Sequence, residues 1–235
     1  VVDSIDSMSL NLSSKLNTNM NFLKKLFFTR EFFLISRLEK RLMAKKIKNI
    51  VVTEHDAKQF FGKCDVIELG VDTNTFCPKK ESDKHKIIFT GNLSYYPNII
   101  AVNWFVENCL DKIKEKFPEV KLYLCGAFPS QSLLKMQSEH IVVTGFVKDI
   151  GQWISRAEVS IAPMQSGSGM QNKILEAIAC EVPIVATRYG VGSIKRNLFP
   201  SLIIANSPED FVDAIISVFE NEKSYRENAS SSRQN

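Results

Sequence analysis

The residues with most to offer chemistry lie between Gly167 and Glu176. Gly167-Ser168-Gly169 is a glycine-bounded turn just ahead of a helical pattern. Such a turn presents free backbone N–H groups, and the helix dipole adds about half a positive charge, which suits a phosphate. At about 100° per residue, Gly169, Asn172, Lys173 and Glu176 share one face, with Ile174 and Ile178 opposite. Lys173 could neutralise phosphate, and Glu176 could accept hydrogen bonds from ribose hydroxyls. The plainer reading is a solvated stripe in which Lys173 and Glu176 form a surface i,i+3 pair worth roughly a few tenths of a kcal/mol. Spacing alone leaves both readings open.

A second candidate is Gly91-Asn92-Leu93, directly after an apolar run. A glycine there lets backbone approach a ligand, and Asn98 could cap the helix that follows. It could equally be an ordinary strand–turn–helix junction, and it is not the G-x-G-x-x-G of a dinucleotide site. Metal chemistry has little support. The three histidines (His55, His85, His140) lack ligand spacing, the five cysteines form no C-x-x-C, and no D-x-D occurs. Buried reduced thiols are the expected state of the cysteines.

The elements that must hold these loops follow from the apolar rhythm. Runs at 86–90, 120–125, 141–144, 159–163, 183–187 and 202–205 predict strands. Helical patterns lie between most of them, at 98–117, 130–138, 149–156, 170–180 and 208–221. Ile99, Val102, Phe105, Val106, Leu110 and Ile113 carry the clearest one. Near-continuous apolar strands alternating with helices predict a parallel α/β sheet covered on both faces. Ligands bind such sheets at the carboxyl ends of the strands. Function is therefore expected in loops 91–98, 126–130, 145–149, 164–173 and 188–193. Upstream, helices are expected over 8–19, 22–48 and 54–61, the last with Thr53 as N-cap, and strands over 48–53 and 65–69. Residues 70–84, polar and broken by Pro78, read as a linker.

Composition bounds the rest. The chain has 235 residues, 44% hydrophobic and 24% charged, which excludes disordered and fibrous classes. No apolar run is long enough to span a membrane. Its start, Val1-Val2-Asp3-Ser4, reads as the interior of a longer chain. The net charge of +4 is uneven: from Lys15 to Lys48, ten basic residues face only Glu31 and Glu39, giving +8 and leaving −4 elsewhere. Phe22, Phe27, Phe28, Phe32 and Phe33 are interleaved there. The plainer reading is a helix pair with a solvated basic face and a Phe core; the sharper one is peripheral contact with anionic lipid. No recognition motif supports nucleic acid.

Together these segments have a familiar order. Gly167–Thr187 (GSGMQNKILEAIACEVPIVAT) resembles the donor-binding signature of GT-B glycosyltransferases of the family-4-like, glycosyl transferase group 1 kind. GNLSYYPN (91–98), Leu124-Cys125-Gly126, TGFVKDI (144–150) and ATRYGVGSI (186–194) resemble further loops of that family's C-terminal domain. ELGVDTNTFCP (68–78) is similar to its interdomain linker, and DSIDSMSL (3–10) to late N-terminal-domain sequence.

The resemblance implies two Rossmann-like domains. Residues 1–69 would be the end of the acceptor-side domain, 70–84 the linker, and 85–235 the nucleotide-sugar domain. Gly91 and Asn92 would approach the diphosphate of a UDP- or GDP-sugar. Val147 would offer backbone to the base, and Gly169, Met170 and Gln171 would line sugar and phosphates. Glu176 matches the second carboxylate of the family's E-x7-E motif and would hold the ribose; Ser168 stands at the first. Asn92 and Asn98 stand near the usual cationic clamp positions, and Lys173 would replace that charge. The implied reaction moves a hexose to an acceptor hydroxyl with retention, without a cofactor or metal. Its setting would be the cytoplasm or inner membrane face, in bacterial surface polysaccharide or glycoconjugate synthesis, on a lipid-linked or polysaccharide acceptor. The chain alone would bind donor without turnover. The departures also admit a non-catalytic nucleotide-sugar-binding protein or a GT-B nucleotide-sugar epimerase.

Overall fold

The alternation of short apolar runs with helices becomes two parallel sheets in a computed structural model, which describes residues 2–3, 8–16, 21–44, 49–53, 57, 64–79, 82–166, 171–192, 194 and 199–233. The chain divides into two units, one of Val1–Leu69, Ser166–Met170 and Gly192–Ile194, the other of Gly70–Gln165, Gln171–Val191 and Lys195–Asn235.

In the smaller unit β1 (Val2–Asp3), β2 (Asn49–Val51) and β3 (Cys64–Val66) run parallel in the order β1-β2-β3. Parallel neighbours need a crossover. Here α1 (Met8–Leu16) and α2 (Phe22–Ala44) provide it between β1 and β2. Val51 and Ala57 are buried against Cys64 and Val66. The helix expected over 54–61 falls, apart from Ala57, outside the described residues.

The larger unit holds a six-stranded parallel sheet: β4 (Lys86–Thr90), β5 (Lys121–Cys125), β6 (Ile141–Gly145), β7 (Val159–Ala162), β8 (Ile184–Ala186) and β9 (Leu202–Ile204). Each strand lies within a residue of its apolar run. The order is β6-β5-β4-β7-β8-β9, so the chain builds outward from β4 on one side, then returns to β4's other edge. All of β4 and β7 is buried. The core gathers Phe89, Leu122, Leu124 and Ile161 from the sheet with Phe105 and Phe211 from helices above it. Fully burying each such side chain contributes roughly 1.5–3 kcal/mol.

The expected 98–117 helix starts two residues early, at Tyr96, because Pro97 suits a first helical turn. It runs as α3 (Tyr96–Phe105), a π-helical turn (Val106–Leu110) and α4 (Asp111–Lys116). Next come α5 (Gln131–Leu134), α6 (Ile150–Ser155), α7 (Asn172–Ala179), α8 (Arg188–Val191), α9 (Pro208–Glu220) and α10 (Glu222–Arg233).

Helix α10 lies beyond the last helix read from the sequence, 208–221. It has almost no apolar stripe to find. It is anchored instead by buried Ala229 and by Ser232 Oγ, which receives hydrogen bonds from Ser201 N (3.0 Å) and Ser201 Oγ (2.9 Å). Arg233 donates to the carbonyls of Thr73, Phe76 and Ala179, tying α10 to the 70–79 segment and to α7. Burial pushes the thiols of Cys109 and Cys180 up to about 12.

Candidate functional site

In an open parallel sheet, a ligand crevice opens where the strand order reverses, outside the carboxyl ends of the two strands concerned. That place lies between β4 and β7, which pair directly. Gly91 follows β4; the segment leading to Gln171 follows β7.

The helix starts single out the same place. Ser130, Asp149 and Ser207 cap α5, α6 and α9 with side-chain oxygens. Thr187 Oγ1 accepts from Gly190 N (3.2 Å) at the start of α8. The helices that follow β4 and β7 differ. Tyr95 and Gln171 stand at their N-caps, and neither gives a side-chain cap bond. First-turn N–H groups normally find such partners, or a ligand. The two starts that lack a side-chain cap flank the crevice, with Asn98 N and Ile174 N bonded back to the Tyr95 and Gln171 carbonyls.

Between them lies Lys173. It is buried, with Nζ donating to Asn98 Oδ1 (2.9 Å), 3.7 Å from Met164 Sδ and 4.2 Å from the centre of the Phe89 ring. Asn98 Nδ2 in turn donates to the Asn92 carbonyl (2.9 Å). No carboxylate among the described residues pairs with the ammonium. Burial lowers the Lys173 pKa to about 7, partly offset by the charge of Glu176. These positions correct two expectations. Asn98 is not a helix cap, since its side chain turns inward to Lys173. Nor is the 169–176 stripe uniformly solvated: Asn172 is exposed and Glu176 half-buried, while Lys173 shares the inward side of α7 with Ile174 and Ala177.

Glycines fix the surrounding loops. Gly91 has φ +144°, and a Cβ there would stand 2.9 Å from Asn98 Nδ2 and 3.5 Å from Lys173 Nζ. Gly126, at φ +156°, packs so closely that a Cβ would lie 1.7 Å from the Gly91 carbonyl oxygen. Both glycines are demanded by this packing. Gly91 N donates to Cys125 O (3.1 Å), Leu93 N to Ala127 O (2.9 Å) and Gly126 N to Gly145 O (3.0 Å), so the loops after β4, β5 and β6 form one bonded row. Val147, half-buried, lies two residues beyond Gly145 on the edge-strand side of that row.

The structure thus brings Gly91, Asn92, Asn98 and Lys173 into one cluster. Gln171 stands at the N-cap position of the helix that carries Lys173, and Glu176 lies one turn past Lys173. Burial raises the Glu176 pKa, with Lys173 acting against it, and no described side chain bonds its carboxylate. Ser168, Gly169 and Met170 lie outside the described residues. Sequence reasoning missed Phe89 and Met164 as partners of Lys173, and Thr187, whose hydroxyl donates to Met164 O (2.5 Å). Their common signal is position: each sits at or just past the carboxyl end of a sheet strand.

The profile of the family described as Glycosyl transferases group 1 matches residues 84–221, more than half the chain. The chain belongs to this family. A curated relative is EpsD of Bacillus subtilis (strain 168), named as a glycosyltransferase, 27% identical over 135 residues that make up 51% of this chain and 35% of EpsD. Among solved structures, WaaG, a glycosyltransferase involved in lipopolysaccharide biosynthesis, superposes with a TM-score of 0.73 at 12% identity, covering 99% of this chain and 69% of WaaG. TarM gives 0.69 at 19% identity, covering 84% and 42%. Anabaena Alr3699/HepE in complex with UDP and glucose gives 0.66 at 14%, covering 86% and 61%. The chain spans about a third of EpsD and under half of TarM. Its fold is of the Rossmann-like GT-B kind, and no described helix is long and apolar enough to cross a membrane.

Proposed function

We propose that this glycosyltransferase chain binds a UDP- or GDP-sugar at the β4–β7 crevice, with Lys173 as the cation for the diphosphate. The observation that carries this reading is the buried Lys173 ammonium, held between two helix starts without side-chain caps and in no ion pair with a described carboxylate, Glu176 acting on it only through its charge. A lysine is almost never so buried unless an anion completes its surroundings. HepE has been solved with UDP and with UDP-glucose, which supports the same donor class here.

In this reading the diphosphate lies along the Gly91–Asn92 turn and the first turn of α7, with Gln171 at its start; Ser168, Gly169 and Met170, earlier in the sequence, would line sugar and phosphates. Asn98 holds Lys173 Nζ in place. Glu176 accepts from the ribose hydroxyls, and Val147 presents backbone to the base. As the sugar–phosphate bond breaks, negative charge grows on the departing diphosphate. Lys173 and the helix N–H groups stabilise it electrostatically, with no metal required. The sugar, a hexose, passes to an acceptor hydroxyl with retention. The acceptor is a lipid-linked or polysaccharide chain of surface glycoconjugate synthesis, met on the cytoplasmic side of a membrane. Donor binding belongs to this chain; turnover belongs to the whole protein.

A thermal-shift panel of nucleotides tests the assignment, because a ligand that binds the native state raises Tm. UDP or GDP should raise it, and Glu176→Gln should lower that shift for the ribonucleotide but not for its 2′,3′-dideoxy analogue. If Glu176→Gln leaves both shifts unchanged, the ribose assignment is wrong.

A further inference from the structure

Asp83, Lys86, Tyr123, Gln152, Trp153 and Arg156 line a recess of about 240 Å³ between α6 and the amino end of β4. Lys86 opens β4 and Thr90 closes it. At about 3.3 Å per residue, about 13 Å of strand separates the recess from the Gly91 turn. Lys86 is buried, and its Nζ donates to Asp83 Oδ2 (3.2 Å). The same ammonium stands 4.8 Å from the centre of the Tyr123 ring and 4.9 Å from the Trp153 ring. Those two rings are half-buried, with centres 5.7 Å apart. Asp83 Oδ1 accepts from Arg156 Nη2 (2.6 Å), and Asp83 N donates to the Arg156 carbonyl (2.8 Å). Every wall therefore comes from residues 83–156. The buried cation is already met by Asp83, so no further segment of protein is needed to complete the recess.

We propose that this recess holds one pyranose ring of a saccharide, at a site separate from the donor crevice. Size and charge select the occupant. A volume of about 240 Å³ falls below the roughly 300–1,000 Å³ of sites for drug-sized ligands, so it suits a single ring. Asp83 in the wall disfavours an anion, and Lys86 with Arg156 disfavours a cation. A neutral polyol meets all three groups. Its hydroxyls donate to the carboxylate of Asp83 and accept from Arg156 and from the exposed Gln152 amide. The exposed parts of Tyr123 and Trp153 give its C–H face an apolar wall. Such a site gives a saccharide chain a second hold on a glycosyltransferase, away from the diphosphate. The recess shares no residue with the Lys173 site, so either assignment can fail alone.

The test is fluorine NMR of the full chain labelled with fluorotryptophan, since Trp104 and Trp153 are its only tryptophans. Trp104→Phe assigns the two resonances. The probes are the methyl glycosides of glucose, galactose and N-acetylglucosamine, with inorganic phosphate as the anionic control. At least one glycoside should shift the Trp153 resonance saturably, with a Kd of about 0.1–10 mM, and leave that of Trp104 in place. Arg156→Ala and Gln152→Ala should each weaken that glycoside roughly threefold or more, while keeping the thermal shift with UDP or GDP. Lys173→Met and added UDP should leave its affinity unchanged. The proposal is overturned if no glycoside moves the Trp153 resonance, if phosphate moves it as far, or if neither Arg156→Ala nor Gln152→Ala weakens binding. Displacement of the glycoside by UDP would also overturn it, by putting the sugar in the donor crevice.

Discussion

Burying an ammonium costs several kcal/mol unless a partner charge offsets it. Lys173 bears that cost in the ligand-free protein, since an amide, a thioether and an aromatic face are its neighbours. Two consequences follow at this residue. Lys173→Met should stabilise the ligand-free chain near neutral pH by about 1–3 kcal/mol in urea unfolding, while weakening nucleoside diphosphate binding. The stability gain should depend on pH in a fixed direction. Burial lowers the Lys173 pKa from 10.5 to about 7, so the folded state disfavours the charged form. The unfolded chain then holds the extra proton between those values, and the wild type loses stability as pH falls through that window. Relative to Lys173→Met, wild-type stability should fall from pH 10 to pH 7 and change little below. A gain independent of pH would mean that the substitution acts through packing alone.

At the scale of elements, the site depends on how tightly the strand ends are joined. The position of a Cβ on Gly126 lies 1.7 Å from the Gly91 carbonyl oxygen, and backbone cannot yield there as a flexible side chain could. Gly126→Ala should therefore cost at least about 2 kcal/mol of unfolding free energy and displace the Gly91 loop. A loss of under about 0.5 kcal/mol in urea melts would show that the β4 and β5 loops are not locked together. The strands were legible because each is a short apolar run, and parallel strands buried on both faces keep that signature. The crevice position was legible in outline, from Gly91 and from the turn before Asn172. The role of Asn98 was not. Next to Pro97 it reads as a cap, and only the folded chain shows its amide turned inward. Helical spacing makes Lys173 a neighbour of Asn172 and Glu176 and leaves open whether that stripe is solvated or meets a ligand. What decides its burial is Phe89, 84 residues earlier, and spacing along one helix carries no such information. Helix α10 was illegible for a related reason: its anchors are hydrogen bonds that Ser232 accepts from Ser201 and that Arg226 and Arg233 donate to backbone carbonyls elsewhere, not an apolar stripe.

At the scale of the molecule, the larger unit holds a second buried titratable group, just ahead of β7. Glu158 is buried, and that burial raises its pKa to about 7, against the hydrogen bond it accepts from His85 N (2.5 Å). Its contribution has the opposite slope to that of Lys173. Between 4.5 and about 7 the folded state holds a proton that the unfolded chain has lost, so stability falls as pH rises through that window. Glu158→Gln keeps an acceptor for His85 N and removes the charge. It should match the wild type near pH 4 and exceed it at pH 8 by roughly 1–3 kcal/mol. Equal stability at both pH values would contradict a buried, reluctantly ionised Glu158. The two groups together predict a ligand-free protein least favoured by them near neutral pH, and an anion paired with Lys173 should remove the Lys173 share of that disadvantage.

The most direct measurement is calorimetric titration of the chain with UDP, GDP and the matching monophosphates, for wild type and Lys173→Met, from pH 7 to pH 9. A diphosphate stabilises the Lys173 ammonium, so its binding should take up a proton. Wild-type affinity for UDP or GDP should weaken as pH rises above about 7, by up to tenfold per pH unit. Lys173→Met should bind the diphosphate roughly 10- to 100-fold more weakly at pH 7, show no such slope, and lose less for the monophosphate. Equal losses for diphosphate and monophosphate, or a wild-type affinity flat across this range, would contradict Lys173 as the diphosphate's partner.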